Sequence, residues 1–164
     1  MVLDKFPDSK FRMTDKSIIL DYIHGGKGEL LIVSPSMKAH RYRFKFPTNS
    51  SKFPLDVVFV YVVHDDKEMY LGIFDIRGFR LTQNSRFLRD SEVAKGAQWL
   101  SDVLFSKGKF ENSPMKIFSS GRCARCGKLL NSDKAISLGF GRKCSVIHKS
   151  NVKLSYQINY VDRR

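Results

Sequence analysis

Between residues 14 and 82 polar and apolar positions alternate in short runs broken by turn residues. Thr14 is positioned to cap a short helix through Ile23, with Ile18, Ile19, Leu20, Tyr22 and Ile23 as its apolar residues, and Gly25-Gly26 stops it. Glu29 to Ser34 reads as a strand, and Pro35-Ser36 turns the chain. Arg41 to Phe46 alternates: Arg41, Arg43 and Lys45 on one face, Tyr42, Phe44 and Phe46 on the other, the pattern of a half-buried strand. Strand parity therefore assigns these three aromatic rings to the core. Pro47 to Pro54 reads as a polar loop. Val57 to Val63 is dense in β-branched and aromatic residues, His64-Asp65-Asp66-Lys67 reads as a hairpin turn, and Met69 to Phe74 returns antiparallel. Phe79 to Thr82 adds another strand. Short strands joined by short turns predict an antiparallel meander.

The period then lengthens. From Asp90 or Ser91 to about Phe105, Val93, Ala97, Leu100 and Leu104 recur at helical spacing, with Trp99 and Val103 widening the stripe. This predicts an amphipathic helix ended by Lys107-Gly108-Lys109, with Trp99 anchoring it to the sheet. Met115 to Phe118 reads as one more strand. Val152 to Tyr160 alternates again, as a C-terminal amphipathic strand. It can pair into the parent sheet or onto a partner's sheet edge, and pairing at home is the simpler outcome.

Composition sets bounds on this picture. The 164 residues are 42 % hydrophobic and include 13 Phe, enough to build a core and to exclude wholesale disorder. No apolar run reaches the roughly 18–20 residues of a membrane helix. The opening Met1-Val2-Leu3-Asp4-Lys5-Phe6 has no basic region followed by an apolar stretch, so the expected location is the cytoplasm. Three cysteines cannot all pair internally, which points to a reduced chain with a metal site. Residues 1–120 carry 19 basic and 14 acidic side chains, and residues 121–164 carry 10 and 2. More than half of the +13 net charge thus sits in the last 44 residues. A positive field so concentrated attracts polyanions, nucleic acid foremost.

The strongest motif is Gly121-Arg122-Cys123-Ala124-Arg125-Cys126-Gly127, a zinc knuckle in form. Two thiolates two residues apart can bind one metal while the turn between them aims N–H groups at sulfur. Cys144 follows after 17 intervening residues and His148 comes after three more, on one face if this stretch is helical. Cys123, Cys126, Cys144 and His148 make a Cys3His set for Zn, with Asp133 or a water as substitutes for His148 in the fourth position. A redox CxxC would open a helix after a strand, whereas here a glycine follows and a third cysteine waits downstream. A knuckle, a hairpin over roughly Leu129 to Leu138, then a helix with the last two ligands is a treble-clef layout, with Phe140 plugging its small core. The expected architecture is thus α+β. An antiparallel β-meander with a packed amphipathic helix fills residues 1–118, a treble-clef-like zinc module residues 119–151, and a strand and basic tail residues 152–164.

With Gly121 to Leu130 and the Ser137-x-Gly139-Phe140-Gly141-x-x-Cys144 ending, the chain resembles a family of small phage and prophage proteins of unknown function. Their shared feature is a CxxCG-K/R-x-L zinc module ending in G-[IF]-G-x-x-C. The likeness extends upstream through the Ile18–Ile23 helix with its glycine pair, the strand before Ser34-Pro35, Tyr70-Leu71-Gly72, Ser85-Arg86 and the Trp99 helix. It spans roughly residues 14 to 144. Such proteins commonly carry a proline where this chain has Arg142-Lys143, which adds charge beside the metal. The resemblance implies a phage-encoded accessory protein acting in the bacterial cytoplasm, and implies no activity.

Two partner classes follow. Arg122, Arg125 and Lys128 ring the knuckle and Arg142, Lys143 and Lys149 flank the ligand helix, placed to contact phosphates of DNA or RNA without sequence preference. Arg41, Arg43 and Lys45 can extend that track. No helix carries the Asn/Arg pattern of a major-groove reader. The second class is a host protein on which the chain docks as inhibitor or adaptor. Catalysis is not expected, nor a small-molecule substrate or a membrane. A zinc deaminase needs HxE before PCxxC, and residues 127–143 offer a nuclease only Asp133. His24, His40 and His64 each sit beside turn signals, and Gly25-Gly26-Lys27-Gly28 lacks P-loop spacing.

Overall fold

Among the described residues six short strands pair antiparallel into one sheet in the order β5-β4-β3-β2-β1-β6. The structure, a computed structural model, describes residues 2–47, 56–106, 110 and 113–149. The strands β1 (Lys27–Val33), β2 (Ala39–Lys45), β3 (Val58–His64), β4 (Lys67–Asp75) and β5 (Gly78–Leu81) form the expected meander. β6 (Lys116–Ser119) then returns to lie beside β1. The β3–β4 turn puts Asp65 and Asp66 at φ of 49° and 61°, the left-handed pair that a two-residue hairpin needs and that Asp tolerates.

Four α-helical segments accompany the sheet among the described residues. α1 (Lys16–Ile23) starts one residue later than its sequence suggested: Asp15, not Thr14, is the cap, accepting from the Ser17 and Ile18 N–H groups. α2 (Glu92–Phe105) begins at Ser91, whose side chain accepts from the Ala94 N–H. α3 (Asp133–Leu138) occupies most of the stretch read as a hairpin. There Ser132 accepts from the Ala135 N–H, Asp133 lies in the first turn and Gly139 ends the helix. A capping serine before these residues and a helix-ending glycine after them outweigh the strand reading. Residues 142–149 are helical as well.

The core lies between the helices and one face of the sheet. Ile19, Tyr22 and Ile23 of α1, and Ala97, Leu100 and Leu104 of α2, pack with Leu30, Ile32, Tyr42, Phe44, Val58, Val60, Leu71 and Phe74. Tyr42 donates its hydroxyl proton to the Val93 carbonyl at 2.8 Å, which fixes α2 across the sheet. Trp99 is half-buried at the edge of this core. Phe46 departs from its expected place: it lies one residue past β2 and is 50 % exposed, because the alternation of β2 ends at Lys45. On the other face the N-terminal segment covers one end only, where Leu3 and Phe11 pack on Val33, Ala39 and Phe118.

The cysteine region shares the main core. Cys123, Ala124, Leu130, Ile136 and Phe140 belong to the same buried cluster as the sheet. The Lys27 N–H donates to the Ala124 carbonyl at 2.6 Å, at the start of β1. A side chain on Gly25 would meet the Ala124 backbone at 2.7–2.8 Å, so α1 can end against the knuckle only with glycine there. The expected strand Val152–Tyr160 and most of the Pro47–Pro54 loop lie outside the described residues.

Candidate metal centre

The knuckle is built by backbone hydrogen bonds before any metal is considered. The Cys123 N–H donates to the Lys128 carbonyl at 2.8 Å, the Gly127 N–H to the Cys123 carbonyl at 2.9 Å and the Leu130 N–H to the Gly121 carbonyl at 2.9 Å. Gly127 takes φ 79°, the left-handed conformation the turn after the second cysteine requires. The Ala124 N–H reaches the Gly139 carbonyl at 2.9 Å and ties the knuckle to the end of α3. From there Phe140, buried in the core, leads into helical residues 142–149, which carry Cys144.

The three sulfurs converge. Sγ of Cys123, Cys126 and Cys144 all lie within 4.8 Å of one another, and none is in a disulfide. Tetrahedral zinc, with Zn–S near 2.3 Å, spaces its sulfurs about 3.8 Å apart, so this cluster fits one ion after small adjustments. The local charges agree. Burial of Cys123 opposes its ionisation, but the N–H groups of Cys126, Gly141 and Arg125 aim at its sulfur and bring the thiol down to about 7. Gly141 N lies 3.5 Å from that sulfur. Cys144 moves the other way: burial raises it, Arg125 opposes with Nη1 at 3.9 Å, and the sulfurs of Cys123 and Cys126 raise it further. One thiolate forms readily and the next is repelled by it, a conflict that a divalent cation between the sulfurs removes.

His148 stands outside this group. Among the described residues the convergent ligand atoms belong to the three cysteines alone. The His148 ring stacks on Phe140 at 4.7 Å, and Nε2 lies 3.6 Å from Asp21 Oδ1 on α1. The side chain is 8 % exposed, and Nε2 is buried without a hydrogen-bond partner. Helical spacing put His148 on the face of Cys144, as expected, but the aromatic contact and the α1 carboxylate set where its ring turns. Asp133 is exposed in the first turn of α3 and is likewise outside the group.

The basic residues divide into two sets. Arg122, Arg125, Lys128, Arg142, Lys143 and Lys149 are exposed around the knuckle and the final helix. Among the described residues none has a carboxylate within 4.0 Å. Arg122 donates from Nη1 to the Gly127 carbonyl at 3.3 Å, and Arg125 turns toward the Cys144 sulfur. On β2 the situation is opposite. Arg41 pairs with Glu29 at 3.1 Å, Arg43 with Glu29 at 2.7 Å and with Glu68, and Lys45 with Glu68 at 2.6 Å. The sequence showed these three cations on one face and not the two carboxylates across from them. Glu29 and Glu68 reach that face through strand pairing, Glu29 opposite Arg43 on β1 and Glu68 two strands away on β4.

No family model matches the chain, and no curated protein or solved structure matches it either. No helix among the described residues is long and apolar enough to cross a membrane.

Proposed function

We propose that the chain is a phage-encoded, non-enzymatic accessory protein of the bacterial cytoplasm, stabilised by zinc, that binds nucleic acid without sequence preference through the basic rim of its cysteine region. The observation that carries this reading is the pairing of three convergent thiols with six exposed cations that have no carboxylate within 4.0 Å among the described residues. Cations without carboxylate partners can release counterions from phosphate, which is the main source of sequence-independent affinity. Cys123, Cys126 and Cys144 supply three ligands. We assign the fourth place in a treble-clef-like module to His148, whose ring would turn from Phe140 and Asp21 toward the sulfurs when the ion binds. The buried Nε2, left without a hydrogen-bond partner, is the observation that favours a ligand for this ring. Four protein ligands leave no open position for catalysis.

Elemental analysis of the purified chain tests the metal, with about one zinc per chain expected and none overturning the reading. His148→Ala is expected to weaken retention of zinc against a chelator without abolishing it. Titration with unrelated DNA and RNA oligonucleotides at several salt concentrations tests the partner: similar affinities that fall steeply with salt are expected.

A second reading, docking on a host protein, draws on apolar side chains in the same region. Leu129 is 62 % exposed, Val146 64 % and Ile147 40 %, and such residues favour a protein partner when they form one patch. Pull-down from infected cells with and without nuclease separates the two. Recovery of one host protein that survives nuclease favours docking, and recovery that vanishes favours nucleic acid.

A further inference from the structure

The sheet face turned away from α1 and α2 carries an aromatic cluster that strand alternation alone did not reveal. In β3, Val58, Val60 and Val62 are buried while Phe59 and Tyr61 point to the other side and are half-exposed. Tyr61 stands directly opposite Tyr70 of β4, their rings 5.8 Å apart and inclined at 70°. Phe59 meets Tyr70 from the diagonal position, at 5.6 Å and 78°. The register shifts between Val60 and Tyr61, so that Val60 faces Gly72 and Tyr61 faces Tyr70, leaving Leu71 as the extra residue. That bulge lets Tyr70 share a face with Ile73 while Leu71 stays in the core.

Cations border the rings. Arg43 is the β2 neighbour of Tyr61 and Lys45 that of Phe59, and Lys45 Nζ lies 5.4 Å from the centre of the Tyr61 ring. The three rings pack edge to face and stay half-exposed, so aromatic surface remains open to solvent beside them. Half-exposed rings beside positive charge suit unpaired bases, which stack on aromatic side chains while their phosphates meet cations. A base pair inside a duplex offers no free face to such a surface.

We propose that this face, centred on Tyr61 and Tyr70, is a stacking surface for single-stranded nucleic acid. The inference rests on the nucleic-acid reading above and narrows it: the basic rim of the cysteine region attracts any strand, and the sheet selects the unpaired one. Glu29 and Glu68 moderate the surface. They hold Arg41, Arg43 and Lys45 in place across the strands and cancel part of their charge. Removal of one carboxylate therefore frees cations for phosphate.

The test uses the zinc-loaded full chain with fluorescent oligothymidylate and with a duplex of equal length. Wild type is expected to bind the single strand more tightly. Tyr61→Ala and Tyr70→Ala are each expected to weaken single-strand binding about 5- to 100-fold and duplex binding by less than about 2-fold. Tyr61→Phe keeps the ring and is expected to keep the affinity. Glu68→Gln is expected to tighten binding. Circular dichroism and melting establish that each variant is folded. Should an alanine variant fail to fold, the aromatic proton resonances of Tyr61 and Tyr70 in wild type, which stacking bases are expected to move upfield, decide instead. Equal affinity for both strands, with folded Tyr61→Ala binding as wild type, overturns the stacking surface and leaves the basic rim standing. Absence of binding to either strand at low salt overturns the nucleic-acid reading itself.

Discussion

Two clusters of positive charge in this chain have similar sequences of Arg and Lys but opposite surroundings. On β2, Arg41, Arg43 and Lys45 face Glu29 and Glu68 across the strands, so much of their charge is cancelled within the sheet. Around the knuckle, Arg122, Lys128, Arg142 and Lys143 stand exposed with no carboxylate beside them among the described residues. A count of basic residues treats the two sets alike. Cross-strand ion pairs contribute modestly to stability and reduce what the same cations can offer a partner. Cations without a carboxylate contribute little to the fold and are available to phosphate. One set thus belongs mainly to the sheet and the other mainly to whatever binds it.

The sharpest break of this comparison removes the metal. Cys126→Ser is expected to abolish stoichiometric zinc and to destabilise the chain as a whole, since the free energy of binding a structural metal, on the order of 10 kcal/mol, is coupled to folding. Because Cys123, Ala124 and Phe140 are part of the main core, the melting of the whole chain should fall in one transition, with Trp99 fluorescence following it. Two separate transitions, the sheet melting as in wild type, would contradict the shared core.

Next comes direct neutralisation of the rim. Arg122, Lys128, Arg142 and Lys143 changed together to Gln should lower the salt slope of single-strand binding by about 3 units, near 0.7 for each phosphate no longer neutralised. Zinc content should not change, as none of the four is a proposed ligand. Arg41→Gln with Arg43→Gln should change that slope far less and lower the melting temperature instead. A reversal of these two results would exchange the roles of the clusters.

Smaller effects probe how each cluster is held. Gly25→Ala places a methyl group against the Ala124 backbone and should destabilise the chain by about 1–3 kcal/mol, as overpacking does; unchanged thermal melting would show that α1 does not position the knuckle. The smallest effect is a pH dependence. Burial opposes ionisation of Glu68, but hydrogen bonds from Lys45 and Arg43 outweigh it and hold the carboxyl below its ordinary 4.5. A carboxyl that ionises at lower pH when folded contributes stability that is whole above the unfolded value. That stability fades as pH falls through the folded value. Below about pH 4.5, wild type should therefore lose melting temperature faster than Glu68→Gln, by under about 1 kcal/mol for a solvated pair. Parallel curves would mean that the β2 cations are not held by Glu68.

Much of this architecture was legible in the residues. The alternation in β2, the Asp65-Asp66 turn, the apolar stripe of α2 with Ser91 before it, and the cysteine spacing each depend on neighbours within one turn or one hairpin. Helix capping and strand parity are local physics, and they operate before the chain folds. Even the misjudged segment before Phe140 carried its signal, Ser132 and Gly139 bracketing α3, beneath a motif-based expectation of a hairpin.

What only the tertiary structure decided are relations between distant residues. Glu68 meets Lys45 because β4 lies two strands from β2, and Tyr61 meets Tyr70 because a bulge at Leu71 sets the register. Both faces of β3 are apolar, so parity could not say which side faces α2. The orientation of His148 depends on Phe140 and on Asp21, more than a hundred residues away in sequence. Spacing along a chain specifies which side chains can share a face. Contacts across the fold specify which of them are spent on one another and which remain for a ligand, because ion pairing and ring packing act through space, over distances the sequence does not record.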